Sequence, residues 1–229
     1  MSAWLQTKSW EEAKEAIARS KGVAIVPIGS VEQHSYHLPL GTDTYVAMTI
    51  AEEAAEKTGA VLTPPVWFGW RPHHMVLPGT VTIRPEVLSE LTYDIIESLN
   101  AHGLNKIILI NGHRIVNVVW MQICAQKAQS KLGCTVKIFD PAYMSKDIVK
   151  ELGFGPVGHA EEVDTSHMMA RYPDMVHLEK AIDNPINMTH FAMSRVRLNT
   201  RKQQRKYPAV VRVNLLNPTL AADRSITTI

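Results

Sequence analysis

Residues 22–43 read GVAIVPIGSVEQHSYHLPLGTD, and the change of character inside that stretch frames the rest of the chain. Val23, Ala24, Ile25 and Val26 form a short, largely β-branched apolar run closed by Pro27 and Gly29, which predicts a buried strand rather than a helix fragment. Glu32, His34, His37 and Asp43 follow at once: two carboxylates and two imidazoles on a loop leaving a strand end, where open α/β sheets place ligands. Glu32 and His34 are two apart and point the same way in extended chain. Such mixed donors suit zinc, iron or manganese, whereas calcium and magnesium prefer oxygen alone. The same residues also read as solvated loop polars with hydrogen-bonded histidines, and this segment alone leaves both readings standing.

The remaining pattern alternates short apolar runs with amphipathic ones. Ser9 and Glu12 have capping-box spacing ahead of Trp10, Ala13, Ala16 and Ile17, which predicts a helix before the first strand. A helix is expected after Asp43 up to Gly59, with Val46, Ile50, Ala54 and Ala55 on its apolar face. Residues 60–66 read as a strand cut by Pro64 and Pro65, and Pro85 opens a helix whose expected inner face is Leu88, Leu91, Ile95 and Leu99. KIILI, residues 106–110, is the cleanest buried strand; it runs into NGHRIVN and a helix over 118–131, and CTVKIFD is one more strand. Residues 142–153 are read as a small helix or lid, and a helix is expected from Asp164, with Met168 and Met169 in the core. Between the second strand and Pro85 lies an aromatic loop with Trp67, Phe68 and Trp70, which serves either as packing or as a pocket wall. It also holds the adjacent His73 and His74, of which at most one is expected to face a site.

Composition narrows the class. At 229 residues, 45% hydrophobic and 20% charged, the chain reads as one soluble domain, 1–229, with a sizeable core. No long charge-free window predicts a membrane span, and the first twenty residues lack a secretory pattern. Cys124 and Cys134 form no metal or redox motif, so a cytoplasmic location is expected. A net charge of +2 and no recognised motif argue against nucleic-acid binding, and the basic run of Arg195, Arg197, Arg201, Lys202, Arg205 and Lys206 reads as a solvated face.

Three stretches, IGSVEQHSYHLPLGTD, INGHRIVN and GHAEEVDTS, together resemble the motifs of the creatininase family of metal-dependent hydrolases. The first is the most specific, since it carries EQH, HLP and TD together, and the PGT of residues 78–80 fits as well. The resemblance implies an α/β fold, a three-layer α/β/α arrangement with a mostly parallel central sheet. It also implies a homo-oligomer, a hexamer above all, and two divalent ions (zinc, manganese or iron) per subunit. Glu32 and His113 would then belong mainly to one ion, His34 to the other, and Asp43 would bridge them. His159 would be the proton-transfer residue beside a small-molecule substrate.

Departures from the motifs bear on the substrate. Arg114 and Ile115 stand where two glycines are usual, and Ile115 occupies a place where creatinine-hydrolysing members carry a metal-binding glutamate. Asp164 is then the expected fifth ligand, ahead of Glu162, while Glu161, which replaces a glycine, is expected to touch substrate. Arg114, Tyr36 and Trp70 complete the expected substrate-binding set, Ser35 and Tyr36 replacing the usual Gly and Pro. Together they argue against creatinine and for a cyclic amide or an oxidised cyclic polyol or sugar, with Arg114 favouring a polar or anionic one. The competing class is a catalytically inactive oligomeric scaffold, and a mononucleotide-binding domain is weaker for want of a glycine-rich phosphate loop.

Overall fold

The computed structural model describes residues 2–114, 116–141, 146–151, 153–154 and 158–182. Ile115, residues 142–145 and the basic run beginning at Arg195 therefore lie outside the described residues. The elements are α1 (Trp10–Arg19), β1 (Val23–Ile28), α2 (Thr42–Thr58), β2 (Val61–Leu62), α3 (Pro85–Ala101), β3 (Lys106–Asn111), α4 (Val116–Leu132), β4 (Thr135–Phe139), α5 (Lys146–Glu151) and α6 (Glu162–Arg171). The four strands form one sheet in the order β2-β1-β3-β4, every neighbouring pair parallel. In the central pair Val23 lies opposite Lys106 and Ile28 opposite Asn111.

Alternation along the strands builds three layers. Ala24, Val26 and Ile28 of β1, with Ile107 and Leu109 of β3, pack in one apolar cluster with Leu88, Ile96 and Leu99 of α3 and Trp120, Met121 and Cys124 of α4. Ile25 and Ile110 point the opposite way, with Leu62, onto Ala47, Ala51 and Ala55 of α2. An alanine every fourth residue gives α2 a flat face that can approach the sheet closely. Among the described residues no helix is long and apolar enough to cross a membrane.

Several local expectations shift. The α3 face runs Leu88, Thr92, Ile96 and Leu99, the true helical row, which leaves Leu91 46% exposed on its flank. β2 ends at Leu62 because Pro64 and Pro65 offer no N–H to a ladder; pairing returns only as a bridge between Ile28 and Val66. α2 starts at Thr42, so Asp43 sits in a helical first turn rather than on the loop. α6 begins at Glu162, two residues before Asp164, capped by the Glu161 side chain accepting from Val163 N at 2.7 Å.

One glycine fixes how α2 meets the sheet. Gly112 N donates to the Ile28 carbonyl at 2.8 Å, and a Cβ at Gly112 would stand 1.9 Å from the Asp43 carbonyl oxygen. The first turn of α2 thus rests directly on the chain leaving β3. Gly112→Ala is expected to destabilise the fold by about 1–3 kcal/mol and to displace Asp43. Urea unfolding checks the first effect and metal titration the second; wild-type values in both would reject this account of the junction.

Candidate metal centre

The site assembles at the carboxyl ends of β1 and β3 and the amino end of α2. Glu32, His34, Asp43 and His113 are all buried. His113 follows β3 by two residues, and its N–H donates to Asn111 Oδ1 at 3.1 Å, which holds the short turn after the strand. Asp43 is oriented by its place in the first turn of α2, where the helix dipole favours a carboxylate.

The two oxygens of Asp43 face different histidines: Oδ1 lies 3.0 Å from His34 Nε2 and Oδ2 lies 2.9 Å from His113 Nδ1. His113 Nδ1 is also 3.3 Å from Glu32 Oε2, which accepts from Ser30 Oγ at 2.8 Å. The other oxygen, Glu32 Oε1, is approached by His74 Nδ1 at 3.2 Å, His159 Nδ1 at 3.5 Å and Arg71 Nε at 3.6 Å. Two groups of potential ligand atoms result, Glu32 with Asp43 and His113, and Glu32 with His34 and His159; within each, the atoms lie no more than 4.8 Å apart.

These residues fit metal ions by the chemistry of their donors. Glu32 Oε1, Asp43 Oδ2 and His113 Nε2 are buried without a hydrogen bond of acceptable geometry, a costly arrangement unless a cation joins it. His34 Nδ1 lies 3.1 Å from the Glu32 carbonyl. A proton there donates to that oxygen and leaves the Nε2 lone pair aimed at Asp43, the outer-shell arrangement usual for a metal-bound imidazole. Ligand atoms around a tetrahedral ion with bonds near 2.1 Å stand roughly 3.4 Å apart, close to the spacings here.

Beside this cluster, α6 and the segment before it form a second polar layer. The Arg114 guanidinium donates to Glu161 Oε1 and to the Gly158 carbonyl, both at 2.5 Å, and to Asp164 Oδ1. Asp164 Oδ2 accepts from Ala160 N at 2.9 Å. Asp164 is therefore buried next to the cluster but outside both ligand groups, and the charge of Arg114 is already matched by two carboxylates. His159 Nε2 lies 2.6 Å from the Gln33 carbonyl, which puts its proton on that nitrogen and leaves Nδ1 facing Glu32. His37 is tied to Thr165 Oγ1 at 2.9 Å and belongs to neither ligand group. Tyr36 is 70% exposed, and Trp70 packs against the larger apolar cluster.

Comparison with known proteins places this arrangement. The model of the creatininase family, described as creatinine amidohydrolase, matches residues 6–220. The chain belongs to the creatininase family. A 3-dehydro-scyllo-inosose hydrolase from Thermotoga maritima is 30% identical over 186 residues, which cover 79% of this chain and 60% of that protein. A solved creatinine amidohydrolase (creatininase) superposes with a TM-score of 0.76 at 26% identity, covering 85% of this chain and 81% of its own. A solved manganese form of creatininase gives a TM-score of 0.72 at 25% identity, covering 86% and 82%.

Within this creatininase-family site, reading the sequence residue by residue singles out none of Arg71, Ser30 and Gln33, and it leaves open which of His73 and His74 faces the site. His74 had one available signal, its adjacency to His73: only His74 is buried and turned to Glu32. Arg71 reaches the same carboxylate because the short 3-10 turn Pro72–Val76 folds the loop back over the site. Ser35 has φ of 60° and Ala160 of 53°, so non-glycine residues hold left-handed backbone directly after His34 and directly after His159.

Charge shapes the behaviour of the site without metal. Burial opposes a charged His34, but the nearby carboxylates, Asp43 first, outweigh it and hold the imidazole up to about 9. His113 is raised against burial by Asp43 and Glu32 in the same way. Burial works against the ionised form of Asp43 too, yet His34 and His113 hold its carboxyl well below the usual range. A raised histidine stabilises the metal-free fold fully below its unfolded value of 6.5, and that contribution fades as pH rises through about 9. Metal needs neutral imidazole, so its affinity is expected to run the other way, rising about tenfold per pH unit for each proton displaced. Calorimetric titration of the metal-free chain between pH 6 and 9, in buffers of different ionisation enthalpy, checks this; a pH-independent affinity refutes it.

Proposed function

We propose that this chain is a metal-dependent hydrolase acting on a cyclic amide or an oxidised cyclic polyol or sugar. The observation that carries the reading is Asp43, whose two carboxylate oxygens face His34 and His113 in a buried cluster completed by Glu32. Glu32, Asp43 and His113 would hold one divalent ion; His34 and the other oxygen of Asp43, with His159 alongside, would hold a second. Manganese is supported by the solved manganese form of creatininase, and zinc and iron by the donor set. When bound, such a pair lowers the pKa of a water and polarises the carbonyl group it attacks.

The chain's own groups account for the rest of the chemistry. Arg71 and His74 place positive or polar N–H groups 3.6 and 3.2 Å from Glu32 Oε1, close enough to attract that carboxylate oxygen. The Gln33 carbonyl orients His159, whose Nδ1 is the basic nitrogen on the site side, suited to carry a proton between water and leaving group. Tyr36 and Trp70, with Glu161, are the proposed substrate contacts. Arg114 acts there through Glu161 and Asp164, so a neutral, hydroxyl-rich ring fits better than an anion. The name of the Thermotoga relative puts oxidised cyclitols first in order of trial.

The decisive experiment measures metal content and then hydrolysis of oxidised cyclitols, lactones and cyclic amides by the metal-loaded protein. Turnover lost with a chelator and restored by manganese or zinc supports the reading; a loaded protein inert across the panel overturns it. A cytoplasmic homohexamer completes the proposal. The buried thiols Cys124 and Cys134 support a reducing compartment, and exposed Phe68, Met75, Val76 and Leu77 on one loop support a subunit contact there. Sedimentation as a monomer at micromolar concentration would count against that assembly.

A further inference from the structure

Asp164 is a buried carboxylate that stands beside the metal-type cluster without joining it. One of its oxygens takes the Arg114 guanidinium and the other takes Ala160 N. Both partners adjoin residues of the cluster, since Arg114 follows His113 and Ala160 follows His159. Arg114 arrives directly after His113 in the sequence and is anchored by Glu161 and the Gly158 carbonyl as well, so the guanidinium clamps three acceptors from one fork.

The charge count points the same way. Glu32, Asp43, Glu161 and Asp164 bring four negative charges, while Arg71 and Arg114 bring two positive ones. With neutral histidines the remainder is two negative charges, the equivalent of one divalent cation. The group of Glu32, Asp43 and His113 offers that cation two carboxylates and an imidazole. A second ion would find His34 and His159, and among the described residues the carboxylates shown against this cluster are Glu32 and Asp43, shared with the first ion, and Asp164, paired with Arg114.

On the two-ion reading given above, we infer that Arg114 is a positioning residue that withholds Asp164 from the second metal site. The chain then binds one divalent ion tightly and a second at least about tenfold more weakly, the scale on which groups behind the ligands tune metal affinity. Removing the guanidinium leaves Asp164 as an unpaired buried carboxylate, for which the neighbouring cation is the natural partner. Arg114 thereby makes occupancy of the second site depend on the ambient metal concentration.

The test is manganese binding to metal-free protein, followed by equilibrium dialysis and by electron paramagnetic resonance, in which a coupled ion pair is distinct from an isolated ion. Wild type is expected to show two separated affinities. Arg114→Ala is expected to tighten the second by about tenfold and leave the first within about threefold. Adding Asp164→Asn to Arg114→Ala is expected to erase the gain. Arg114→Gln, closer in shape, serves if the alanine variant does not fold, and the wild-type separation is itself a test that needs no variant. Two equal affinities in wild type, or a second affinity unmoved by loss of Arg114, overturns this inference while the two-ion reading stands. A wild-type chain that takes up no manganese and no zinc overturns that reading, and this inference with it.

Discussion

Asp43→Ala is expected to abolish tight metal binding and to lower turnover at least about 10³-fold, since removing even one preorganised electrostatic group from an active site costs about 10²–10³. No other side chain in the cluster has one oxygen 3.0 Å from His34 Nε2 and another 2.9 Å from His113 Nδ1. Alanine removes the bridge, and the two imidazoles no longer share a counter-charge. The loss also reaches the metal-free fold, where breaking a buried pair typically costs about 3–5 kcal/mol. Asp43→Asn separates the two effects, because it keeps the shape and removes the charge. Metal analysis after dialysis, with circular dichroism to confirm folding, is the measurement. Full occupancy by two ions in Asp43→Ala would refute the bridging role.

His159→Ala is expected to retain the ion held by Glu32, Asp43 and His113 while kcat falls about 10²–10⁴-fold, the usual worth of a positioned acid–base group. Burial, and then repulsion from a charged His34, push the His159 imidazole down to about 2 in the metal-free site. The rings of His34 and His159 lie 4.4 Å apart between centroids, close enough for this coupling. Loss of the second ion in His159→Ala would assign it to ligation instead. An unchanged kcat would remove it from the chemistry altogether.

Much of this fold and site is legible in the sequence, for identifiable reasons. Val23, Ala24, Ile25 and Val26 and the KIILI run are short, apolar and bounded by breakers, and they form the two central strands of the sheet. The approach of Glu32, His34, Asp43 and His113 is readable because each lies at the end of a strand or at the start of the helix that follows it. Arg71 is not readable, and His74 is readable only as one of an adjacent pair, because a 3-10 turn with no periodic signal carries them onto Glu32. The engagement of Asp164 is hidden for a related reason. Its partner Arg114 lies 50 positions away, and a carboxylate gives no local sign of whether a cation or a guanidinium will reach it.

The sheet order carries a consequence for the way the site comes into being. β1 pairs with β3 across more than eighty positions of sequence, Val23 with Lys106, and the ligands ride on the ends of those two strands. No short fragment of the chain can therefore gather Glu32, Asp43 and His113, and an ion has nothing to organise until the slow, long-range parallel pairing has been made. On the metal-dependent reading the ion would act late, as a lock on a finished framework rather than as a seed for it. At a free ion concentration one hundred times the dissociation constant, that lock is worth about 2.7 kcal/mol, applied only to chains already folded.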